Sequence, residues 1–570
     1  MVNKKVLSPQ EIDDWFVTVP PVPANTFEFA LVMGGTVSAG AYTAGVVDFL
    51  IEALDNWTEL RAQGDAAAPK HHTMLRVITG TSGGGVNAAI TARALAYEFP
   101  HVARATPNWQ GGTGNPFFDI WVNTLTLNDF LATSDIDGGK FVSLLNGAPI
   151  DKGAALAANF TAPGIRPRPY LGDPLRVILT LTNLRGVPYK TDLGGGLGES
   201  FIDHADYARF ALVYPTHAIV TPRPDEFVLN FDERRQPQAI NWEMFSTFAR
   251  ATAAFPIGFP ARDLVRTVEH YRYRIAILPS ATEGAPAALV GRVPNWDALT
   301  PAGAADVPED YRFLTVDGGA TDNEPIELAR TALAGVRGRN PRDPKTANRA
   351  VLLVDPFAGK AELGPENMAG LVALLGAVVN TFTQQTRYNS QDLLLAADPN
   401  VFSRFLITAQ RDGKTGGDAI AANGLGAFIG FACPAFMRHD FLLGRKNCQD
   451  FLRETFVLHQ DNPVFAGAWT PAQTQQHKVI VNGEVHLPLI PLLGDAAVPE
   501  TPASWPKHQL NPDSYHEAIE NRFKAAVEFE GSGGAISSTL AWLIAHFGED
   551  KVADLAINKM KQALKDADLA

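Results

Sequence analysis

The first part of the chain repeats one pattern: a short apolar run, then glycines, then a segment of helical spacing. Apolar and β-branched residues predict a buried strand at Phe27–Met33 and the end of another at Val77–Thr79. A helix with an apolar face is predicted at Val46–Leu54 after the first strand, and a small-residue helix begins near Gly85 after the second. Two successive strand–loop–helix units predict a parallel sheet covered by helices.

Later apolar runs extend this sheet. Strands are predicted, in order, at Leu175–Asn183, Phe210–Tyr214, Phe227–Phe231, Tyr271–Leu278, Tyr311–Val316 and Arg349–Asp355. Helices are predicted at Asn241–Ala254, where Pro256 ends the pattern, and then at Met368–Leu394, Leu443–Phe456 and near the C-terminus. The pattern therefore predicts an α/β fold with a mostly parallel central sheet and a C-terminal helical segment.

Breaks in the pattern divide the chain into three predicted regions. Residues 1–25 form a leader, with a short capped helix over Ser8–Trp15 and a proline-rich spacer after it. Residues 26–455 form the α/β domain, and residues 456–570 form a mainly helical C-terminal region. Inside the α/β domain, glycine and proline clusters in residues 100–170 predict loops or a lid-like insertion.

Composition and charge narrow the function classes. Hydrophobic residues make up 46% of the 570 positions and charged residues 19%, so a well-buried core is expected. The net charge of −13 excludes the bulk basic surface that binds nucleic acid. For the same reason, any membrane contact is expected to be apolar and transient.

Cysteine usage and the N-terminus predict a soluble, cytoplasmic protein. The two cysteines, Cys433 and Cys448, provide neither a disulfide framework nor a zinc quartet. The first residues lack the apolar core of a secretory signal. The apolar runs Gly370–Val379 and Gly424–Met437 are shorter than the ~20 residues that a membrane helix needs.

The second predicted strand leads into a G-x-S-x-G corner, Gly80-Thr81-Ser82-Gly83-Gly84. A turn this sharp brings the flanking backbone close, and glycine fits there because it has no side chain. The serine oxygen then projects at the carboxyl end of the strand, beside helix amides that stabilise negative charge. An ordinary strand-to-helix turn is the alternative, but the strand before the corner and the helix after it favour a nucleophile.

A glycine-rich loop from Gly34-Gly35 to Gly40 follows the first strand and opens a helix. Its unhindered amides can form a pocket for a developing oxyanion. Nucleotide binding is the competing interpretation. It is disfavoured because the loop lacks the Lys-Ser/Thr of a P-loop and contains no G-x-G-x-x-G.

Asp317 follows the strand predicted at Tyr311–Val316 and precedes two glycines. A carboxylate at this position can lie at the same sheet edge as Ser82 and accept its proton directly. Asp137 and Asp192 also precede glycines, but no strand adjoins them. A turn-forming Asp-Gly is the alternative for Asp317, and its position at a strand end favours a catalytic base.

Histidine offers a rival arrangement for the serine. A Ser–Asp–His order along the chain would use His439 in a triad of the α/β-hydrolase kind. A single histidine beside a helix start is more often structural or solvated. No H-E-x-x-H motif occurs and His71-His72 are adjacent rather than at helical spacing, so no metal site is predicted.

Four blocks, taken in order, resemble the patatin-like phospholipase family. The blocks are Gly34-Gly35…Ser38-Ala-Gly40-Ala-Tyr42-Thr-Ala-Gly45, Gly80-Thr-Ser82-Gly-Gly84, Ala254-Phe-Pro256…Phe259-Pro260 and Asp317-Gly318-Gly319…Asn323…Pro325. Together they span residues 27–330, with a family-like continuation to about 455. Each block is a weak signal alone, whereas four in order make the match fairly specific.

The resemblance implies a three-layer α/β sandwich that acts on a lipid or acyl-ester substrate without a cofactor. It implies that Ser82 and Asp317 are the nucleophile and the base of a Ser–Asp dyad, with no catalytic histidine and no metal. The amides of Gly34 and Gly35 would contribute to the oxyanion hole. The expected reaction is hydrolysis of carboxylic esters of lipids or phospholipids through an acyl-enzyme.

One position departs from the family pattern. The family loop often has Arg or Lys just before the glycine that matches Gly40, and this chain has Ala39 there. This difference bears on phosphate contact, and so on the choice between phospholipid and neutral or lyso-lipid esters. Two alternative functions stay open: a non-enzymatic lipid-binding protein with a vestigial site, and a Ser–Asp–His esterase that uses His439.

Overall fold

A mixed sheet runs through the centre of the protein in the computed structural model. The residues that the structure describes are 7–17, 19–103, 105–137, 141–192, 198–218, 221–231, 240–278, 288–300, 307–358, 386, 395, 398, 400–501, 503–531 and 549–570. The strands are β1 (Thr26–Met33), β2 (His72–Gly80), β3 (Leu171–Asp192), β4 (Gly198–Val213), β5 (Glu226–Asn230), β6 (Arg262–Thr267), β7 (Ile275–Leu278), β8 (Ala288–Gly291), β9 (Asp310–Asp317), β10 (Arg349–Val354), β11 (Arg404–Ile407), β12 (Gln410–Arg411), β13 (Lys414–Thr415), β14 (Val457–His459), β15 (Val479–Val481) and β16 (Glu484–Pro488).

The central sheet confirms the prediction of a mostly parallel arrangement. Its order is β11-β10-β1-β2-β3-β4-β5, with β9 beside β3 and β6 beside β9. Neighbours from β11 to β3 are parallel, whereas β4 and β9 run antiparallel to β3. The strand β1 is buried along its whole length, which explains why its sequence is mostly apolar instead of alternating.

Helices lie on both faces of this sheet. The helices of the described residues are α1 (Pro9–Ile12), α2 (Gly40–Ala62), α3 (Gly83–Ala94), α4 (Pro116–Asn123), α5 (Leu127–Leu131), α6 (Ser134–Asp137), α7 (Ala148–Ala158), α8 (Trp242–Thr252), α9 (Ile326–Ala334), α10 (Pro434–Glu454), α11 (Pro471–His477), α12 (His516–Gly531) and α13 (Glu549–Asp566), with a short helical turn at Gly424–Ala427 and 3-10 turns that include Val37–Ala39 and Gly318–Ala320.

Alternate residues of β1 separate the two faces, because successive side chains of a strand point in opposite directions. Phe29 and Leu31 belong to the large core cluster that contains α2, α3 and α10. Ala30 and Val32 belong to a smaller cluster with α9. The sheet is therefore the middle of three layers, as the family resemblance implies.

The helices α2 and α10 cross unusually closely. A Cβ atom on Gly45 would clash with the carbonyl oxygen of Phe441, and a Cβ atom on Gly444 would clash with that of Tyr42. Glycine on both helices therefore allows the backbones to meet. This contact fixes the position of α2, the helix that the glycine-rich loop opens.

One described helical stretch, Val37–Ala62, is long and apolar enough by composition to cross a membrane. Its most apolar window is 94% buried inside the fold. The stretch therefore behaves as a central core helix, whose apolar residues pack against protein on all sides.

The stretch from 100 to 170, which is expected to form loops or a lid-like insertion, contains four helices, α4 to α7. Asn115 caps α4 by accepting a hydrogen bond from the Phe118 amide, and Thr126 caps α5 in the same way from the Asp129 amide. The helices are short, so few periods of hydrophobic spacing mark them in the sequence. Their apolar faces complete the core beside α3.

The strand predicted at Tyr271–Leu278 is wrong in its first half. Residues 268–273 form a 3-10 helix, and only Ile275–Leu278 is a strand. The Tyr271 hydroxyl donates to the buried Asp206 carboxylate at 2.7 Å, and the Arg274 guanidinium donates to the same carboxylate at 2.7 Å. These long-range hydrogen bonds override the alternating pattern of the local sequence.

The N-terminal residues pack on the domain. The predicted short helix exists as α1, which Ser8 and Glu11 close with a capping box. Leu7, Ile12 and Phe16 then form a small apolar cluster with residues that include Tyr273 and Leu289. The boundary of the leader remains a prediction.

The C-terminal region contains strands as well as helices. After residue 455 the chain forms the antiparallel sheet β14-β16-β15 before α12 and α13. Asn482 and Gly483 join β15 to β16 with positive φ values of 51° and 82°. Asn-Gly between β-branched residues is a strong hairpin signal, so this sheet was readable from the sequence. The helix predicted at Met368–Leu394 lies outside the described residues.

Candidate active site

Ser82 lies at the sharp corner between β2 and α3, as the G-x-S-x-G pattern predicts. Its backbone has φ 54° and ψ −126°, a conformation that a non-glycine residue rarely adopts. A Cβ atom on Gly80 would lie 2.6 Å from the Gly84 carbonyl oxygen, and one on Gly84 would clash with the Met33 carbonyl oxygen. Both glycines are therefore required by close backbone approach. Strain held at such a corner is typical of a functional residue.

Asp317 is the last residue of β9 and is only 3% exposed. Its Oδ1 atom accepts a hydrogen bond from the Gly319 amide at 2.8 Å. Burial raises the pKa of Asp317 from its ordinary value of 3.8 to about 7, although hydrogen bonding from Ser82 and from the Gly319 amide favours the charged form. Oδ2 has no partner of ordinary hydrogen-bond geometry among the described residues, so a second acceptor atom is available beside Ser82.

The long strand β3 brings these two residues together. Gly80, two residues before the serine, pairs with Leu179 of β3, and Asp317 pairs with Leu181. β9 runs antiparallel to β3. If β9 paired with the same stretch of β3 as β2 does, the carboxyl end of β9 would lie at the sheet edge opposite Ser82. β3 is 22 residues long and extends past β2, so β9 ends opposite the serine corner.

The end of α8 contacts both residues. The Thr252 hydroxyl accepts a hydrogen bond from the Ser82 amide at 3.1 Å, and the Ala254 carbonyl accepts one from the Asp317 amide at 2.8 Å. Thr252 is fully buried and packs against the α3 backbone at Gly85. Sequence reasoning did not single out Thr252, although it lies two residues before the Ala254–Pro260 block.

The glycine-rich loop touches the serine. A Cβ atom on Gly35 would lie 3.3 Å from the Ser82 Cβ atom. The Gly34 amide donates to the Val354 carbonyl and the Gly35 amide donates to the Asn323 carbonyl, both at 3.3 Å. Both amides therefore have protein acceptors in this structure, and their role in an oxyanion hole stays a prediction.

Gly83 and Val37 line the same pocket as the serine, and both have amides without an acceptor among the described residues. Gly83 begins α3, and the first amides of a helix have no acceptor within it. Val37 has φ 47° and lies against Gly83. A Cβ atom on Gly83 would be 3.2 Å from the Val37 carbonyl oxygen. Within the described part of the chain, no protein group accepts a hydrogen bond from either amide. The residue after a nucleophilic serine commonly supplies an oxyanion amide, so the G-x-S-x-G pattern could have indicated Gly83.

An apolar pocket of about 820 Å³, including its solvent-open part, lies next to Ser82. Its walls come from the glycine-rich loop, from α3, α4, α5, α7 and α8, and from the segments that follow α8 and precede α10. Representative lining residues are Val37, Val86, Trp121, Phe130, Phe245, Phe259, Phe428 and Phe431. The helices of residues 100–170 thus form a wall of the pocket.

Charge is sparse in this pocket. Arg250 is the one charged residue among the described lining residues, and its guanidinium lies 3.3 Å from the Asp151 carboxylate. Ala39, where the family loop often has a cation, is fully buried in the core. The lining therefore suits an apolar group with no formal charge of its own.

His439 lies apart from this arrangement. Its Nδ1 atom is 2.8 Å from the Asp440 carboxylate, and its ring packs edge-on against Trp505. The Asp440 carboxylate also accepts hydrogen bonds from the amides of Ala421 and Ala422. Among the described residues, no histidine lines the pocket next to Ser82. The interactions of His439 are those of a buried structural residue.

Among the described residues, no group of three or more His, Cys, Asp or Glu side chains could hold a metal ion. The prediction of a metal-free site remains a prediction.

Comparisons with known proteins place the chain in a family. It is 32% identical over 520 residues to the uncharacterized protein y4iI of Sinorhizobium fredii (strain NBRC 101917 / NGR234), covering 84% of this chain and 72% of that protein. The solved structure of VipD from Legionella pneumophila aligns with 95% of this chain and 85% of its own, at 10% identity and a TM-score of 0.22, too low to support an argument. The model of the family described as patatin-like phospholipase matches residues 31–330, which include Ser82, Asp317 and the loop at Gly34, and the chain therefore belongs to that family.

Proposed function

We propose that the protein hydrolyses carboxylic esters of lipids, with Ser82 as nucleophile and Asp317 as base. Membership of the patatin-like phospholipase family supports lipid acyl hydrolysis in general. The observation that carries the specific proposal is the buried Asp317 carboxyl, whose pKa is raised to about 7 beside the Ser82 hydroxyl. A base with a pKa near the working pH is well matched to accepting a serine proton.

The proposed reaction has two half-reactions. Ser82 Oγ attacks the ester carbonyl carbon as its proton moves to Asp317, and a tetrahedral intermediate forms. Collapse of the intermediate breaks the bond to the leaving alcohol, which takes the proton from Asp317. Water then attacks the acyl-serine while Asp317 again accepts a proton. The fatty acid leaves and the proton returns to Ser82.

We propose that the Gly83 amide is the first hydrogen-bond donor to the oxyanion. It has no acceptor among the described residues and lies directly after the nucleophile. The Val37 amide is the second donor that we propose. Gly34 and Gly35 would join only if their amides left the carbonyl oxygens of Val354 and Asn323.

We assign the apolar pocket to the acyl chain of the substrate. Aromatic and aliphatic side chains dominate its lining, and such walls bind hydrocarbon by removing it from water. Because Ala39 is buried, we propose that this position makes no phosphate contact. Under this proposal the protein recognises the ester group and the acyl chain of its substrate, and recognition does not need a phosphate.

The test uses a water-soluble short-chain acyl ester. We expect Ser82→Ala to lower turnover at least ~10,000-fold, since removing a serine nucleophile disables the whole constellation. We expect Asp317→Asn to lower it ~100- to 10,000-fold through loss of the base. His439→Gln is the matched control and should keep wild-type turnover; its inactivation would favour the triad instead.

A fluorophosphonate probe separates catalysis from passive lipid binding. Such probes react with activated serines, so the wild type should be labelled at Ser82 and the Ser82→Ala protein should not. A wild-type protein that binds lipid but takes no label would support the vestigial-site alternative and contradict the proposal.

A further inference from the structure

Four large aliphatic side chains near the mouth of the pocket are exposed to solvent. The exposed fractions are 63% for Val142, 44% for Leu144, 65% for Ile257 and 41% for Leu425. Single exposed aliphatic residues are common on proteins, but a cluster beside an apolar opening is not.

Backbone and ring contacts join these residues to the pocket. The Leu144 amide donates to the Ile257 carbonyl at 2.9 Å. Phe255 and Phe259, on either side of Ile257, both line the pocket. The Phe428 ring lies 5.7 Å from that of Phe255 and 6.3 Å from that of Phe259, measured between centroids.

Leu425 belongs to the same rim. It precedes Phe428 by three residues, and its carbonyl accepts a hydrogen bond from the Phe428 amide at 3.3 Å. The rim surface is defined as Val142, Leu144, Ile257 and Leu425. Ile257 and Leu425 lie on the segments that carry the pocket's aromatic wall, Leu144 is hydrogen-bonded to Ile257, and Val142 is two residues from Leu144.

Two members of the rim surface are held in an unfavourable backbone conformation. Ile257 has φ 70° and Leu425 has φ 57°, in the left-handed region that bulky residues avoid. Glycine or asparagine would fit these positions with less strain, and neither side chain is buried in the core. Folding alone explains neither the residue types nor their exposure, which points to a function for the side chains.

The charged residues beside the rim surface form ion pairs. Arg262 and Arg250 share the Asp151 carboxylate, at 2.8 Å and 3.3 Å, and Arg522 lies 2.9 Å from a carboxylate oxygen of Asp135. The chain as a whole has a net charge of −13. A partner of this surface is therefore recognised by apolar contact, and a negatively charged lipid surface would be repelled.

We propose that the rim surface inserts into zwitterionic lipid–water interfaces and so places the opening of the pocket against the lipid. This inference rests on the acyl hydrolase function proposed above, because it names the surface that presents the substrate to that site. An ester-bearing chain could then pass from the lipid into the apolar pocket without crossing water, so the hydrophobic cost of leaving the bilayer is reduced.

Binding is tested apart from catalysis with the full-length Ser82→Ala protein. Sedimentation with phosphatidylcholine vesicles is compared between this protein and one that also carries Val142→Ser and Ile257→Asn. We expect at least ~10-fold weaker partitioning, since two aliphatic side chains no longer leave water on binding. Vesicles that contain phosphatidylserine should bind the parent protein more weakly than phosphatidylcholine alone.

The matched control carries Val498→Ser and Ile480→Asn, at aliphatic side chains exposed by 63% and 59% but outside the rim surface. It should bind vesicles like the parent. Asparagine tolerates positive φ, so Ile257→Asn should not lower the melting temperature. If the rim variant does melt early, Val142→Ser with Leu144→Ser replaces it. Equal vesicle binding by the rim variant and its parent would overturn the proposal.

Activity with the catalytic serine intact separates this inference from the proposed function. The rim variant should hydrolyse the soluble short-chain ester within about twofold of the wild type and vesicle-borne ester at least ~10-fold more slowly. Loss of both activities would overturn the docking role. If Ser82→Ala left hydrolysis unchanged while the rim variant still lost vesicle binding, the dyad would fall and the docking surface would stand.

Discussion

At the scale of single residues, the site depends on one buried carboxyl. Asp317 is 3% exposed and has no cation among the causes of its pKa shift, so burial dominates and raises the pKa to about 7. A structural aspartate is usually paired with a cation or with several amides that lower its pKa. A proton-accepting residue held in this costly state is typical of catalytic sites.

The raised pKa predicts a pH-dependent gain in stability for Asp317→Asn. Between about pH 4 and pH 7 the folded protein holds a proton on Asp317 that the unfolded chain has released, so the free energy of unfolding falls as pH rises. Above pH 7, ionised Asp317 lowers the free energy of unfolding by its full amount, which is on the order of 4 kcal/mol. Chemical denaturation should therefore find the variant more stable than wild type at pH 8.

The gain should shrink toward zero as the pH approaches 4, because both states are then protonated. Activity provides the second measurement: kcat/KM of the wild type on a soluble ester should rise with an inflection near the Asp317 pKa of about 7. A variant that is no more stable at pH 8 than at pH 4, relative to wild type, would contradict the assigned pKa.

Among the structural elements, the end of α8 contacts both residues of the proposed dyad. Thr252 accepts a hydrogen bond from the Ser82 amide and Ala254 accepts one from the Asp317 amide, so two residues of one segment set the position of both catalytic candidates. Among the described residues that line the pocket, neither Thr252 nor Ala254 appears. We therefore propose Thr252 as a positioning residue.

We predict that Thr252→Val lowers kcat ~10- to 100-fold with little change in KM. The substitution keeps the shape but removes the acceptor for the Ser82 amide, and a small displacement of a nucleophile has effects of this size. Steady-state kinetics on the soluble ester measure it. Thr252→Ser keeps the oxygen and should restore most of kcat, whereas equal loss in both variants would indicate a packing role alone.

At the scale of the whole molecule, one buried arginine links distant parts of the chain. Arg445 of α10 forms ion pairs with Asp48 and Glu52 of α2 and with Glu500 of the C-terminal region. These contacts, with the glycine crossing of α2 and α10, hold α2, the helix that follows the glycine-rich loop, in place. Among the described residues, none after 455 lines the pocket at Ser82, so the C-terminal region contacts α2 through this cluster without forming the pocket wall.

Arg445→Met should destabilise the protein by about 3–5 kcal/mol, because it leaves the Glu52 and Glu500 carboxylates without their cation, while Asp48 keeps His101 at 2.8 Å. The measurement is the free energy of unfolding in denaturant. Lys446→Met is the adjacent control: Lys446 pairs with Asp450 at the surface, and its loss should cost less than about 1 kcal/mol. Equal effects of the two substitutions would mean that the buried cluster contributes no more than a surface pair.

Local sequence is enough to place the features that depend on local structure. The apolar runs locate β1, β2 and β10 because a buried parallel strand needs mostly apolar residues, whereas the antiparallel β9 is located by its alternating apolar residues. The serine corner is readable because only glycine fits beside so sharp a turn. The position of Asp317 at the end of β9 is readable from the apolar strand before it and the two glycines after it, and its role as the base remains a prediction.

Only the tertiary structure decided what surrounds the serine. Thr252, the Val37 amide and the pocket wall come from positions far apart along the chain, and packing alone brings them together. The acceptors of the Gly34 and Gly35 amides, Val354 and Asn323, also lie some 300 positions away. The length of β3 aligns Asp317 with Ser82 even though β9 is antiparallel, and strand pairing of this kind leaves no local mark in the sequence.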